Sequence, residues 1–173
     1  MKYFDYYESP LGRMMLVAND DGLTGVYFIG QKHYLRPESG WRKDPANKAL
    51  RKAKKELGEY FARKRKRFDL PLAPEGSAFQ HAVWQAIAGV PFGETISYAE
   101  LARRAGYPKG ARAAGAATGR NPIGIIVPCH RIMGSDGSLT GYAGGLEKKR
   151  ALLALEAGAE NRGQSPISSL NEG

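Results

Sequence analysis

Pro128-Cys129-His130-Arg131 sets the only cysteine of the chain beside a histidine and an arginine. The thiolate, not the thiol, is the nucleophile, and an unperturbed cysteine titrates near ~8.5, so a working thiol needs a base. His130 is the natural candidate. In extended chain, however, adjacent side chains point to opposite faces. A water bridging Cys129 to His130 is therefore a simpler geometry than direct contact. An imidazole in that role also needs a carboxylate to orient it. The acidic residues beyond Cys129 are Asp136, Glu147, Glu156, Glu160 and Glu172. Residue physics leaves the choice open, although only Glu156 ends an apolar helical run, Leu152-Leu153-Ala154-Leu155, where burial against a core is expected. A lone buried cysteine is more often a small hydrophobe than a reagent. Its neighbours argue for chemistry here.

Those residues must be held by the second half of the chain. Ile123-Gly124-Ile125-Ile126-Val127 reads as a short buried strand that delivers Cys129 at its end. Upstream, Ser77 and Gln80 form a capping-box pattern, and Phe79, Ala82, Val83, Ala86 and Ile87 mark one helical face. Ser97 and Glu100 repeat the capping pattern before Leu101, Ala102 and Ala105, and Gly106 stops that helix. Two short helices joined through Gly106-Tyr107-Pro108 spell a helix-turn-helix. The second, Lys109 to Gly119, is built almost wholly of Ala and Gly. An ordinary helix is ~10–12 Å across, whereas the DNA minor groove is only ~6 Å wide. Small side chains let a helix lie against that groove, with Arg112 as the one long side chain able to probe the base stack. The same composition also suits tight packing on a core.

The first half reads differently. Lys2 to Tyr7, Arg13 to Ala18 and Leu23 to Ile29 are strand-like and separated by turn sequences. A helix with Leu50, Ala53, Leu57 and Phe61 on one face follows, with Asp44 expected as N-cap and Pro45 as its first residue. Arg63 to Arg67 is a basic run, read as a solvated helix end, and Leu70 to Gly76 reads as a linker. The expected division is residues 1–74, residues 75–157, and a disordered tail over 158–173.

The 173 residues carry a net charge of +9. Sixteen basic residues face ten acidic ones over positions 1–77, and nine face five over 78–156. Such an excess suits a polyanion, because each neutralised phosphate releases counterions. One cysteine rules out an internal disulfide, and one Cys with three scattered His lacks zinc-ligand spacing. No metal or cofactor is expected. Met1-Lys2-Tyr3-Phe4-Asp5 shows no leader pattern and no apolar run is long enough for a membrane, so a cytoplasmic location is expected.

Taken together, Phe79-Gln80 with Val83-Trp84, Phe92 to Tyr98, Ala111-Arg112-Ala113, Asn121-Pro122, Pro128 to Arg131 and Gly141 to Leu146 resemble the O6-alkylguanine-DNA alkyltransferases. Order and spacing match over about residues 77–157, with a looser match at Ser9-Pro10-Leu11-Gly12. The resemblance implies an N-terminal ribonuclease-H-like α/β domain and a C-terminal winged helix-turn-helix domain. It implies stoichiometric, irreversible transfer of an alkyl group from O6-alkylguanine to Cys129, with O4-alkylthymine as a further candidate substrate. The substrate would be double-stranded DNA, met by a monomer that flips the base through the minor groove. His130 would be the base, acting through a water, Glu156 would hold its ring, and Asn121 would brace the turn before the cysteine. Tyr98 would sit beside the flipped nucleotide, and Arg112, next to Ala111, would fill the gap left in the duplex. Tyr142 and Ala143 would form the loop over the base, and Arg131 would contact substrate or DNA. Ala143 stands where some members carry serine, Gly124 where some carry proline, and the N-terminal half lacks the zinc-binding cysteines of some relatives.

Two other readings explain less. A helix-turn-helix regulator with a structural cysteine accounts for charge and helices but not for Pro-Cys-His-Arg. A Cys–His hydrolase accounts for thiol and base but not for the DNA-binding pattern.

Overall fold

The computed structural model describes residues 1–158, which fall into two compact units. The first comprises Met1–Glu75 with Pro122–Gly124, and the second Gly76–Asn121 with the chain from Ile125 onward. The segment expected to be disordered, apart from Gly158, lies outside the described residues.

In the first unit, strands β1 (Tyr3–Ser9), β2 (Gly12–Ala18) and β3 (Leu23–Phe28) form an antiparallel meander. A two-residue strand β4 (Arg42–Lys43) pairs parallel with β1, giving the order β3-β2-β1-β4. The β1–β2 turn works because Gly12, at φ +125°, takes a backbone conformation that a side chain resists, while Ser9 Oγ donates to Gly12 O at 2.6 Å. Helix α1 (Lys48–Phe61) packs Leu50, Ala53 and Leu57 onto β1 and β2. Its cap differs from expectation. Asn47, not Asp44, accepts from Leu50 N–H, and Asp44-Pro45-Ala46 is a preceding turn in which Asp44 Oδ1 accepts from Ala46 N–H.

Two further expectations fail in this unit, for one reason. Backbone groups on the free edge of β3 need partners, and two irregular segments supply them. Leu23 N–H donates to Pro71 O and Ala73 N–H to Leu23 O; Val26 N–H donates to Pro122 O and Gly124 N–H to Val26 O. The linker expected at Leu70–Gly76 is therefore partly docked. The strand expected at Ile123–Val127 is reduced to one bridge, Val26–Ile123, after which the chain turns.

The second unit is mainly helical. Helix α2 (Ala78–Ala88) has the full capping box between Ser77 and Gln80. It buries Val83, Trp84 and Ile87, with the Trp84 indole N–H donating to Ala117 O at 2.8 Å. Strand β5 (Ile96–Ser97) leads into α3 (Tyr98–Arg104), where Ser97 Oγ accepts from Glu100 N–H. The reciprocal half of that box is not made, because the Glu100 carboxylate turns to Arg103 and Arg104. Gly106, at φ +92°, closes α3 in a Schellman motif: Tyr107 N–H bonds Ala102 O and Gly106 N–H bonds Arg103 O. Helix α4 (Ala111–Gly119) packs on α2 and α3 through Ala114, Ala117 and Thr118. A 3-10 turn (Cys129–Arg131), strand β6 (Ile132–Met133) paired parallel with β5, and helix α5 (Leu146–Ala157) complete the unit. No helix among the described residues is long and apolar enough to cross a membrane.

Candidate active site

Cys129, His130 and Arg131 lie in a tight turn rather than on an extended strand. Cys129 N–H donates to Val127 O at 2.8 Å and Arg131 N–H to Pro128 O at 2.9 Å. Successive side chains in such a turn are rotated by about 120°, so the three diverge instead of alternating. All are buried, at 8%, 0% and 5% exposure. Four residues earlier Ile125, a β-branched residue, sits at φ +68°. That strained conformation bends the chain out of the strand that the apolar run suggests.

Helix α5 supplies the carboxylate. Leu152, Leu155 and Glu156 are buried on it, and Glu156 Oε2 lies 2.7 Å from His130 Nε2. Arg131 donates to both Glu156 oxygens, at 2.8 and 2.9 Å, and to Val90 O at 2.6 Å. Gly93 N–H adds a longer bond of 3.4 Å to Glu156 Oε1. Burial alone would discourage ionisation of Glu156, but the bonds from His130 and Arg131 outweigh it and hold the carboxyl at about 2. An ionised acceptor at Nε2 makes that nitrogen the donor, which leaves Nδ1 with the lone pair. Nδ1 is buried and has no hydrogen-bond partner among the described residues. Burial is also the main reason His130 is held below its ordinary value, so the ring is neutral at pH 7.

The thiol is likewise pushed up by burial, against a hydrogen bond with Asn121 and the charge of Lys149. It is therefore protonated at rest, and a neutral imidazole beside it has a proton to accept. Asn121 Nδ2 also donates to Val127 O at 2.8 Å, tying the end of α4 to the backbone just before the cysteine. Tyr142 is half-buried, and its phenol is raised well above the usual range by burial and by the charges of Cys129 and Glu156.

The remaining candidate residues spread over the second unit. Tyr98, half-buried at the start of α3, lies within 3.4 Å of Thr140 Oγ1 through its hydroxyl, and its ring lies next to Gly115 of α4, where a β-carbon would meet it at 3.6 Å. Ala111 is half-buried at the start of α4, while Arg112, Ala113 and Ala116 are exposed. Ala143 is half-buried in the loop before α5. Arg131 requires a correction. The family resemblance sets it against substrate or DNA, yet it is 5% exposed and its guanidinium is committed to Glu156, Val90 O and the Phe92 ring, 5.8 Å away. A buried carboxylate needs a buried cation, and that need claims Arg131.

Lys149 carries no motif that marks it in the sequence. It is 0% exposed, and its ammonium donates to Ile132 O and Thr140 O at 2.7 Å and to Gly141 O at 3.4 Å. It stands in Glu147-Lys148-Lys149-Arg150, which looks like a solvated charge run. Its spacing of seven from Glu156, two helical turns, is the signal that could have found it. Among the described residues no group of three or more His, Cys, Asp or Glu could hold a metal ion.

This arrangement is a protonated thiol, a neutral imidazole and an oriented anion, set in a mainly helical unit in which α3 and α4 pack together across a short turn. Family models agree with that class. The 6-O-methylguanine DNA methyltransferase DNA binding domain matches residues 78–158, and the ribonuclease-like domain of the same family matches residues 2–74. The chain belongs to the 6-O-methylguanine DNA methyltransferase family, with an N-terminal ribonuclease-like domain and a C-terminal DNA-binding domain. It is 47% identical over 154 residues to a methylated-DNA–protein-cysteine methyltransferase of Methanosarcina barkeri, covering 89% of this chain and 96% of that protein. A namesake from Mycolicibacterium paratuberculosis is 45% identical over 161 residues, covering 93% of each. Among solved structures, Mycobacterium tuberculosis OGT in complex with DNA is similar at a TM-score of 0.83 and 42% identity, covering 90% of this chain and 93% of that one.

Proposed function

We propose that this protein repairs DNA by moving an alkyl group from O6-alkylguanine in double-stranded DNA to Cys129. The observation that carries the reading is the buried chain of Glu156, His130 and a lone thiol, with Nδ1 of His130 unpartnered among the described residues. In this scheme the thiol proton passes through a water to Nδ1, and the Glu156 carboxylate offsets the charge gained by the ring. Sulfur attacks the alkyl carbon, the carbon–O6 bond breaks, and guanine leaves with one proton restored. The product is a thioether, which offers water no easy route, so each molecule acts once.

An O6-alkyl group lies at the edge of a stacked base, so the base must leave the duplex to reach a buried thiol. Tyr98, Tyr142 and Ala143 would surround the flipped base, with Arg112 and Ala111 of α4 in the minor groove. Asn121 would keep the cysteine turn in register with α4. The finer fold assignment belongs to the same proposal: a ribonuclease-H-like domain over residues 1–74 and a winged helix-turn-helix domain over 75–157, acting as a cytoplasmic monomer. Mycobacterium tuberculosis OGT, whose structure was solved with DNA, supports the choice of partner.

The test is incubation with a duplex carrying one O6-methylguanine, followed by intact-mass measurement and peptide mapping. One methyl group on Cys129 is expected, and none in Cys129→Ser. An unchanged mass for the unsubstituted protein would overturn the assignment.

A further inference from the structure

Helix α5 buries a second charged residue that the proton path above does not use. Lys149 is fully buried, and among the described residues no carboxylate is paired with its ammonium. Three backbone carbonyls take its three N–H donors: Ile132 O on β6, and Thr140 O and Gly141 O beyond the intervening loop. An ammonium has three donors and a neutral amine only two, so this cradle fits the charged form. Desolvating a charge is costly, and a neutral amide could bridge two stretches of backbone without that cost. The charge therefore needs a use. The carbonyls that hold it lie three residues after Cys129 and immediately before Tyr142.

We propose that Lys149 is a positioning residue of the alkyl-transfer site, with two effects from one contact set. Its ammonium pins the two ends of the loop over 134–139, at Ile132 on one side and at Thr140 and Gly141 on the other, and so fixes the approach of Tyr142, whose phenol feels the charge of Cys129. It also keeps a positive charge near Cys129 as sulfur ionises. Other groups bear on the thiol too: Asn121 hydrogen-bonds it and Tyr142 is close enough to feel its charge, while the Glu156 carboxylate is paired with His130 and Arg131. Among the charged groups, Lys149 is the one that favours the thiolate. The influence is mutual, since burial brings Lys149 down to about 8 while a Cys129 charge would raise it. This inference rests on the alkyl-transfer reading for its purpose but not for its measurement.

The experiment follows the reaction of Cys129 with iodoacetamide across a pH series, in the full-length protein and in Lys149→Met and Lys149→Arg, with thermal melts to verify folding. Lys149→Met should raise the midpoint of thiol reactivity by about one unit, a typical shift for loss of a nearby opposite charge. Methyl transfer from duplex DNA should slow by about tenfold at saturating DNA, with DNA affinity unchanged. Lys149→Arg, which keeps the charge, should bring the midpoint back toward that of the unsubstituted protein. A folded Lys149→Met with an unshifted midpoint would overturn the proposal. Should Lys149→Met fail to fold, the Lys149 side chain is titrated by NMR in the unsubstituted protein and in Cys129→Ser. A lysine titration that changes on removing the thiol supports the coupling, and one that does not overturns it. Iodoacetamide needs no damaged DNA, so a protein that transfers no methyl group would sink the functional reading while leaving the charge coupling to be judged on its own.

Discussion

At the scale of single residues, the proposed site holds the groups of a proton transfer in their resting forms. Burial holds Cys129 protonated and His130 neutral, and the 2.7 Å contact with Glu156 assigns the lone pair to Nδ1. Removing the base should then cost what a general base ordinarily supplies, about 10²–10⁴-fold in rate. His130→Ala should show that loss in single-turnover transfer from duplex DNA and from a free alkylated guanine alike; a rate within about threefold of the unsubstituted protein would mean that proton transfer does not limit the step. Acid should also act on the carboxylate. Glu156 titrates at about 2 against an ordinary 4.5, so its folded value is depressed. A depressed value contributes stability that is fully present above 4.5 and is lost as pH falls toward about 2. His130, also depressed, begins its own loss below its ordinary 6.5. Glu156→Gln should therefore melt at lower temperature at neutrality, because the Arg131 guanidinium is left buried without its anion, at a cost of about 3–5 kcal/mol. Its melting temperature should then fall less steeply with acid than that of the unsubstituted protein. Parallel curves would show that Glu156 is not the acid-sensitive group.

At the scale of elements, what could be read from sequence was whatever local chemistry decides. Ser77 and Gln80 announce the start of α2, Gly106 ends α3, and the period of Leu50, Ala53 and Leu57 gives α1 its inner face, because caps and helical spacing act within a turn or two. Reading failed where distant partners decide. Ile123–Val127 has the composition of a strand, but it makes a single bridge to Val26 on the edge of β3 and turns away where Ile125 takes a positive φ. Arg131 and Lys149 look like surface cations until the groups that claim them are brought close by folding. The apolar run before Glu156 announced its burial, but only the family resemblance singled it out as the partner of His130, and the 2.7 Å contact joins the two. Helix α4 lies between these cases. Its small residues divide between two faces, Ala114 and Ala117 buried and Ala113 and Ala116 exposed. The exposed Arg112 is then free to enter a duplex. Arg112→Ala should slow repair of duplex DNA in line with a lost stacking contact, about 1–3 kcal/mol, and should barely change reaction with a free alkylated guanine. Equal slowing of both substrates would mean that Arg112 supports the site rather than the flipped state.

At the scale of the whole molecule, charge decides how DNA is met before any base is examined. The chain carries 26 Lys and Arg against 17 Asp and Glu. Arg131 and Lys149 are buried, so neither can touch a phosphate. The exposed cations remain, including Arg103, Arg104, Lys109, Arg112 and Arg120 on and around α3 and α4. Small side chains on α4 present few hydrogen-bonding groups, and the minor groove displays a degenerate pattern. Binding driven this way gains mainly from counterion release, with a slope of about −0.9 in log K against log salt for each phosphate neutralised. Undamaged duplexes of unrelated sequence should therefore bind with similar affinity and share one steep slope. Cys129→Ser should keep both, because a buried thiol touches no phosphate. The measurement is a salt series by fluorescence anisotropy on three unrelated duplexes with both proteins. A flat slope would remove the electrostatic account. A single strongly preferred sequence would point instead to a regulator that reads base edges, and it would leave the small-residue surface of α4 without a purpose in DNA binding.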